Sequence, residues 1–196
     1  MLQIPEFVLD HLLRNQLIRR TRILIIGENY PRTNYETYFY RSLPNVPGGP
    51  IGGVVPQFFQ RLCNTLQIPS QDNFGIPFTE IQRLTYFLNN GFLLIDAQPN
   101  GAPPVRTRPD LLNNNDLNML IRTIQIIEPI NIMFLTNNNI NVINQISEHP
   151  DKGDIISKII INPTNNANVF AFPAPPADPN LFINQILRLR QDGFQI

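Results

Sequence analysis

Cysteine is almost missing from this chain. Cys63 is the only one in 196 residues, which excludes an internal disulfide and suits a reducing, cytoplasmic setting. Its neighbours Phe59, Leu62 and Leu66 predict a core position on a helix, not a nucleophile. Histidine is nearly as scarce: His11 and His149 stand alone. With no Cys/His cluster there is no basis for a transition-metal site, and neither a metal nor a cofactor is expected. Charged residues reach only 15%, below the roughly one quarter usual for a globular domain. Lys152 and Lys158 are the only lysines; every other basic side chain is an arginine. The net charge is zero, so the total makes no case for nucleic acid. No apolar run is long enough to span a bilayer and no leader peptide is visible, so no membrane role is expected. The glycines at 48–53 lack both a strand before them and a Lys-Ser/Thr after them, which excludes a phosphate loop of the P-loop kind.

Hydrophobic residues make up 42%, enough for one sizeable core in a single domain over 1–196. Asn and Gln carry the polar surface in place of charge. Helical spacing of Phe7, Leu9, Leu12, Leu13 and Leu17 predicts an opening helix over 1–21, with Arg14, Arg19 and Arg20 on its outer side. Short apolar runs predict strands at 23–26, 91–96, 130–135 and 155–161. Between them, periodicity and caps predict helices at 55–68, 78–88 (Thr79 as N-cap), 110–128 and 139–147, and a closing helix at 180–190. Proline and glycine mark irregular stretches at 30–55 and 99–109. The alternation predicts an α/β fold. Its expected form is a three-layer α/β/α sandwich around a central four-stranded, mainly parallel sheet with right-handed crossovers.

The chemistry is expected directly behind the first strand. Ile23–Ile26 are followed by Gly27, which tolerates unusual backbone angles and lets a ligand approach. Glu28, Asn29, Tyr30 and Pro31 come next. In open α/β sheets, ligands bind outside the carboxyl ends of the strands. The irregular stretch that follows carries Tyr35, Tyr38, Phe39 and Tyr40. Such rings suit either a planar ligand or a lid over the core. The second strand ends on Asp96 at what should be the same rim.

In order and spacing these pieces resemble the uracil-DNA glycosylase superfamily, nearly end to end. That family opens its site with strand-Gly-x-(Asp/Asn/Ala)-Pro. Residues 23–31 fit, with Asn29 in the key place and Tyr30 as an insertion before the proline. The family's aromatic clamp is matched by Tyr38-Phe39-Tyr40-Arg41, and its proline-led helix by the run from Pro56 to Leu66. Its Gly-(hydrophobic)₄-Asn strand is matched by 91–96, with Asp96 replacing asparagine. Its His-Pro-Ser-Pro-like turn is matched by Phe172-Pro173-Ala174-Pro175-Pro176 and then Phe182, without the histidine. Asn162-Pro163-Thr164-Asn165 is a second placement, similar to the Asn-Pro-Ser-Gly turn of the mismatch-specific branch.

The resemblance implies a DNA-repair role in base excision: a monomer that hydrolyses the N-glycosidic bond of a damaged or mispaired base extruded from DNA. Asn29 would position the water and Glu28 could assist as a base. Tyr30 with Phe39 or Tyr40 would stack on or gate the base. Asp96 would face its Watson–Crick edge. Arg106 and Arg108, with the backbone of Pro173, Ala174 and Pro175, would approach phosphates. Because an ionised Asp offers acceptors only, Asp96 should prefer bases bearing amino or N–H donors over uracil. The missing histidine and Asp96 also admit a second reading, a catalytically degenerate member that binds a nucleobase, a nucleotide or a partner protein.

Overall fold

The computed structural model describes residues 6–29, 39–43, 57–98, 111–135, 139–160, 171–172 and 179–193. Its centre is a parallel sheet whose three full strands are β1 (Ile23–Asn29), β2 (Phe92–Gln98) and β3 (Asn131–Leu135). β1 lies in the middle, with β2 on one side and β3 on the other. Leu24, Ile25 and Ile26 are fully buried, as are Ile132, Met133 and Phe134. That is why these strands read as unbroken apolar runs and not as alternating ones.

Among the described residues six helices surround the sheet: α1 (Glu6–Arg14), α2 (Gln57–Thr65), α3 (Glu80–Asn89), α4 (Asn114–Ile127), α5 (Asn139–Glu148) and α6 (Pro179–Gln191). With right-handed crossovers, this strand order carries α2 and α3 over one face and α4 over the other. The observed packing of α2 on α6, and of α4 on α5, agrees with that division. The predicted cap is present in full. Thr79 accepts from the Gln82 backbone at 3.3 Å, and Gln82 Oε1 accepts from the Thr79 backbone at 2.8 Å, a reciprocal capping box. Asn113 caps α4 in a similar way, accepting from the Asp116 backbone at 2.9 Å. The opening helix is shorter than its leucine spacing predicts. Left-handed Gln16 (φ 54°) breaks it, and a 3₁₀ turn over Ile18–Arg20 follows.

Two expectations need correction. The first strand does not stop at Ile26. It continues through Gly27 to Asn29, with Gly27 opposite Asp96 and Asn29 opposite Gln98. Glycine is tolerated inside the strand because it clears space for its neighbour, as described below. Nor do residues 155–160, the described part of the strand expected at 155–161, form one. Ile155–Lys158 are a 3₁₀ turn, held by Ser157 N–H donating to the Asp154 carbonyl at 3.1 Å and by a Lys158–Asp154 ion pair at 3.0 Å. Ile159 and Ile160 alone of these reach the sheet: Ile159 forms a parallel bridge to Ile132, and Ile160 N–H donates to the Ile132 carbonyl at 2.8 Å. The next stretch of β3 is paired by Ala171 and Phe172, opposite Phe134 and Leu135. Among the described residues the fourth position is therefore filled by two short pieces, 159–160 and 171–172, and not by one full strand.

Candidate functional site

The carboxyl ends of all the paired strands lie along one rim. Register puts Gly27 beside Asp96 and Asn29 beside Gln98, while Ile26 lies beside Phe134 and Phe134 beside Ala171. Between β1 and β3 the sheet changes direction of winding, the point where open α/β sheets form a crevice. Gly27 is the hub of this rim. A Cβ built on it would collide with Asp96 Oδ1, so the absent side chain is what admits the carboxylate. Asp96 is half-buried, while Ile95 and Ala97 on either side of it are buried.

On the other side of Gly27 stands Asn139, the first residue of α5, only 1% exposed. Its Nδ2 donates to the carbonyls of Ile26 and Gly27 at 3.3 Å each, and to that of Leu135 at 2.5 Å. One buried amide thus ties the end of β1 to the end of β3 at the point where the winding reverses. Sequence reasoning starts a helix at Asn139 but gives it no role. The signal was positional: the residue opens the helix behind the third strand, at the same rim as Gly27.

Phe39 and Tyr40 do not serve as expected. Phe39 is 3% exposed and packs edge-on against Tyr40, Phe59 and Phe87, each with ring centroids 5.0 Å away. Tyr40 is 2% exposed. Its hydroxyl donates to the Leu94 carbonyl at 2.8 Å and accepts from Leu94 N–H at 2.9 Å. β2 is a sheet edge, so the phenol takes the place of a neighbouring strand for one residue. Burial pushes the phenol's pKa far up; the bond to Leu94 pulls it down, and the charge of Asp96 pushes it up again. Both rings are committed to the core, because extended aromatic surface gains most where it is fully removed from water. Neither can stack on a base.

Arg41, next in sequence, fixes this segment. Its Nε lies 3.0 and 3.1 Å from the two Glu80 carboxylate oxygens, and Nη2 lies 2.8 Å from Oε2. The two side chains are only 4% and 12% exposed. Residues 39–43 are therefore a plug that joins the edge of β2 to the start of α3.

Tyr30, Arg106, Arg108 and the turn at Pro173, Ala174 and Pro175 lie outside the described residues, as do the 162–165 alternative and the side chains of Glu28, Asn29 and Phe182. Cys63 is completely buried, and burial pushes its thiol up to about 12, against the opposing pull of Arg83; it is a core residue, as its neighbours predict. Among the described residues no helix is long and apolar enough to cross a membrane. Compared with protein-family models, curated proteins and solved structures, the chain matches none.

Proposed function

We propose that the carboxyl rim of the sheet is a nucleobase slot of the uracil-DNA glycosylase kind, in which Asn29 positions water for hydrolysis of an N-glycosidic bond. The observation that carries this reading is the pairing of Gly27 with Asp96. It brings the two motif strands together at the rim where the family resemblance expects its site. The α/β/α layering expected from that resemblance is supported by the central position of β1 and by the packing of α2 on α6 and α4 on α5. The chemistry on offer is acceptor-rich. Asp96 supplies carboxylate oxygens, and the amide nitrogen of Asn139 is already engaged by three carbonyls. A base bearing an exocyclic amino donor fits such a slot better than uracil, whose single N–H lies between two carbonyl oxygens.

A second reading, binding without hydrolysis, is favoured by the burial of Phe39 and Tyr40, which takes two expected stacking rings out of the slot. One experiment separates the two. Oligonucleotides carrying uracil, hypoxanthine, xanthine or a mismatch are incubated with the protein and with Asn29→Ala, and both base release and binding are scored. Release that Asn29→Ala reduces by about 10²-fold or more supports hydrolysis. Binding without release supports the degenerate reading. Neither binding nor release on any substrate overturns both.

A further inference from the structure

The opposite rim of the sheet holds a groove that the proposed slot does not use. It has a volume of about 510 Å³ and is built on the starts of β1 and β2, at Ile23 and Phe92. Leu66 and Ile68, which follow α2, give it apolar walls. Tyr86, on α3, brings a ring that is 43% exposed and stacked on Phe78 at 4.9 Å. Gln67 and Asn90 bring amides, and Arg22 and Arg190 bring the charge. None of the described residues lining the groove is acidic. Glu128 and Asp192 belong to the same end of the fold by their places in the chain, but neither is part of the lining.

Arg22 is placed by its surroundings. Gly91 adopts φ +82°, and a Cβ there would lie 2.9 Å from Arg22 Cγ and 3.0 Å from Cδ. The Gly91 carbonyl also accepts from Arg22 N–H at 2.7 Å and Ile23 N–H at 3.0 Å. The stem of Arg22 therefore lies along a surface that only glycine leaves open. Arg190 comes from the last turn of α6, so two elements far apart in sequence bring positive charge to one concavity. Partial burial lowers the Arg190 pKa from its ordinary value.

We propose that this groove binds a small molecule joining an anionic group to a flat ring, the class of aryl and nucleoside monophosphates. Arginine suits phosphate because its planar fork donates two parallel hydrogen bonds. The apolar walls and the half-exposed Tyr86 ring suit the flat portion, and the volume falls within the range of small-ligand sites. The site lies at the other end of the strands from Gly27 and Asp96, so it stands or falls independently of the glycosylase reading.

Phenyl phosphate is the probe, with phenol and inorganic phosphate as controls, followed by calorimetry and by backbone amide shifts in the full chain. Phenyl phosphate should bind with a dissociation constant below about 1 mM, more tightly than either control. Shifts should centre on residues 22, 23, 67, 90 and 92 and spare 27 and 96. Arg190→Gln and Arg22→Gln should each weaken binding about tenfold or more, with the remaining amide spectrum preserved. Should Arg22→Gln fail to fold, Arg190→Gln, near the chain's end, carries the test. No binding, binding unchanged in Arg190→Gln, or shifts centred on 27 and 96 would each overturn the proposal.

Discussion

Two glycines sit at opposite rims of one sheet, and they are needed for different reasons. At the carboxyl rim, the space beside Gly27 is taken by a side chain, the carboxylate of Asp96. At the amino rim, the space beside Gly91 is taken partly by backbone: a Cβ would lie 2.8 Å from the Arg20 carbonyl oxygen, and the residue is held at φ +82°. A side chain can rotate away, whereas a strand-entry carbonyl cannot. Gly27 therefore clears room for a neighbouring carboxylate, and Gly91 clears room for the fold itself. The contrast gives the same substitution opposite signatures at the two rims.

The largest effect is expected from Gly91→Ala. The left-handed conformation costs about 1–2 kcal/mol for a residue with a Cβ, and forced overlap with backbone adds roughly 1–3 kcal/mol. Urea denaturation should show a loss of at least about 2 kcal/mol. A change below half of that would erase the distinction between the rims. Asn139→Ala should follow, at about 1–3 kcal/mol, because buried carbonyls of Ile26, Gly27 and Leu135 lose their side-chain donor. Hydrogen exchange should quicken at the ends of β1 and β3 first, with phenyl phosphate affinity at the other rim unchanged. Tyr40→Phe keeps the ring but strips Leu94 of both partners, for roughly 1–2 kcal/mol, and amide exchange at Leu94 reports it.

Gly27→Ala should cost less, about 1 kcal/mol or below, because the Asp96 carboxylate can swing aside. Its consequence is functional. Base selectivity that depends on Asp96 should fade while the melting transition stays close to wild type. The smallest effect comes from His11, whose pKa burial lowers from the ordinary 6.5. The unfolded chain then takes up the proton more readily than the folded one. Stability should be fully present above pH 6.5 and should decline as pH falls through that value and the lower folded-state pKa. His11→Gln should flatten that part of the pH–stability curve.

Much of the scaffold could be read from local patterns. Thr79 with Gln82 is a cap whose partner lies three residues away, so the information is contained in the segment; Asn113 is a cap of the same kind, but the spacing alone predicts that helix from 110 and it begins at Asn114. The runs at 23–26, 91–96 and 130–135 are apolar on both faces and can only be buried strands or buried helix, and their length decides. What escaped local reading depends on partners far along the chain. Whether Phe39 and Tyr40 face a ligand or the core is settled by Phe59, Phe87 and the open edge at Leu94. The residues at 155–161 look like a strand because Ile159 and Ile160 do meet β3. The preceding turn uses up the rest, and Ala171–Phe172 completes the edge. Asn139 was invisible because its three acceptors lie at the ends of two other elements.

The central claim is that Gly27 and Asp96 frame a base-binding slot at the carboxyl rim. Titrating the labelled protein with adenine, hypoxanthine and uracil while following backbone amides tests it most directly. The amides of Gly27, Asp96, Ala97 and Asn139 should shift on binding, adenine should displace uracil, and Asp96→Asn should shift the preference toward uracil. Shifts confined to Arg22 and its neighbours, or uracil outcompeting the amino-bearing base in the unaltered chain, would contradict the account.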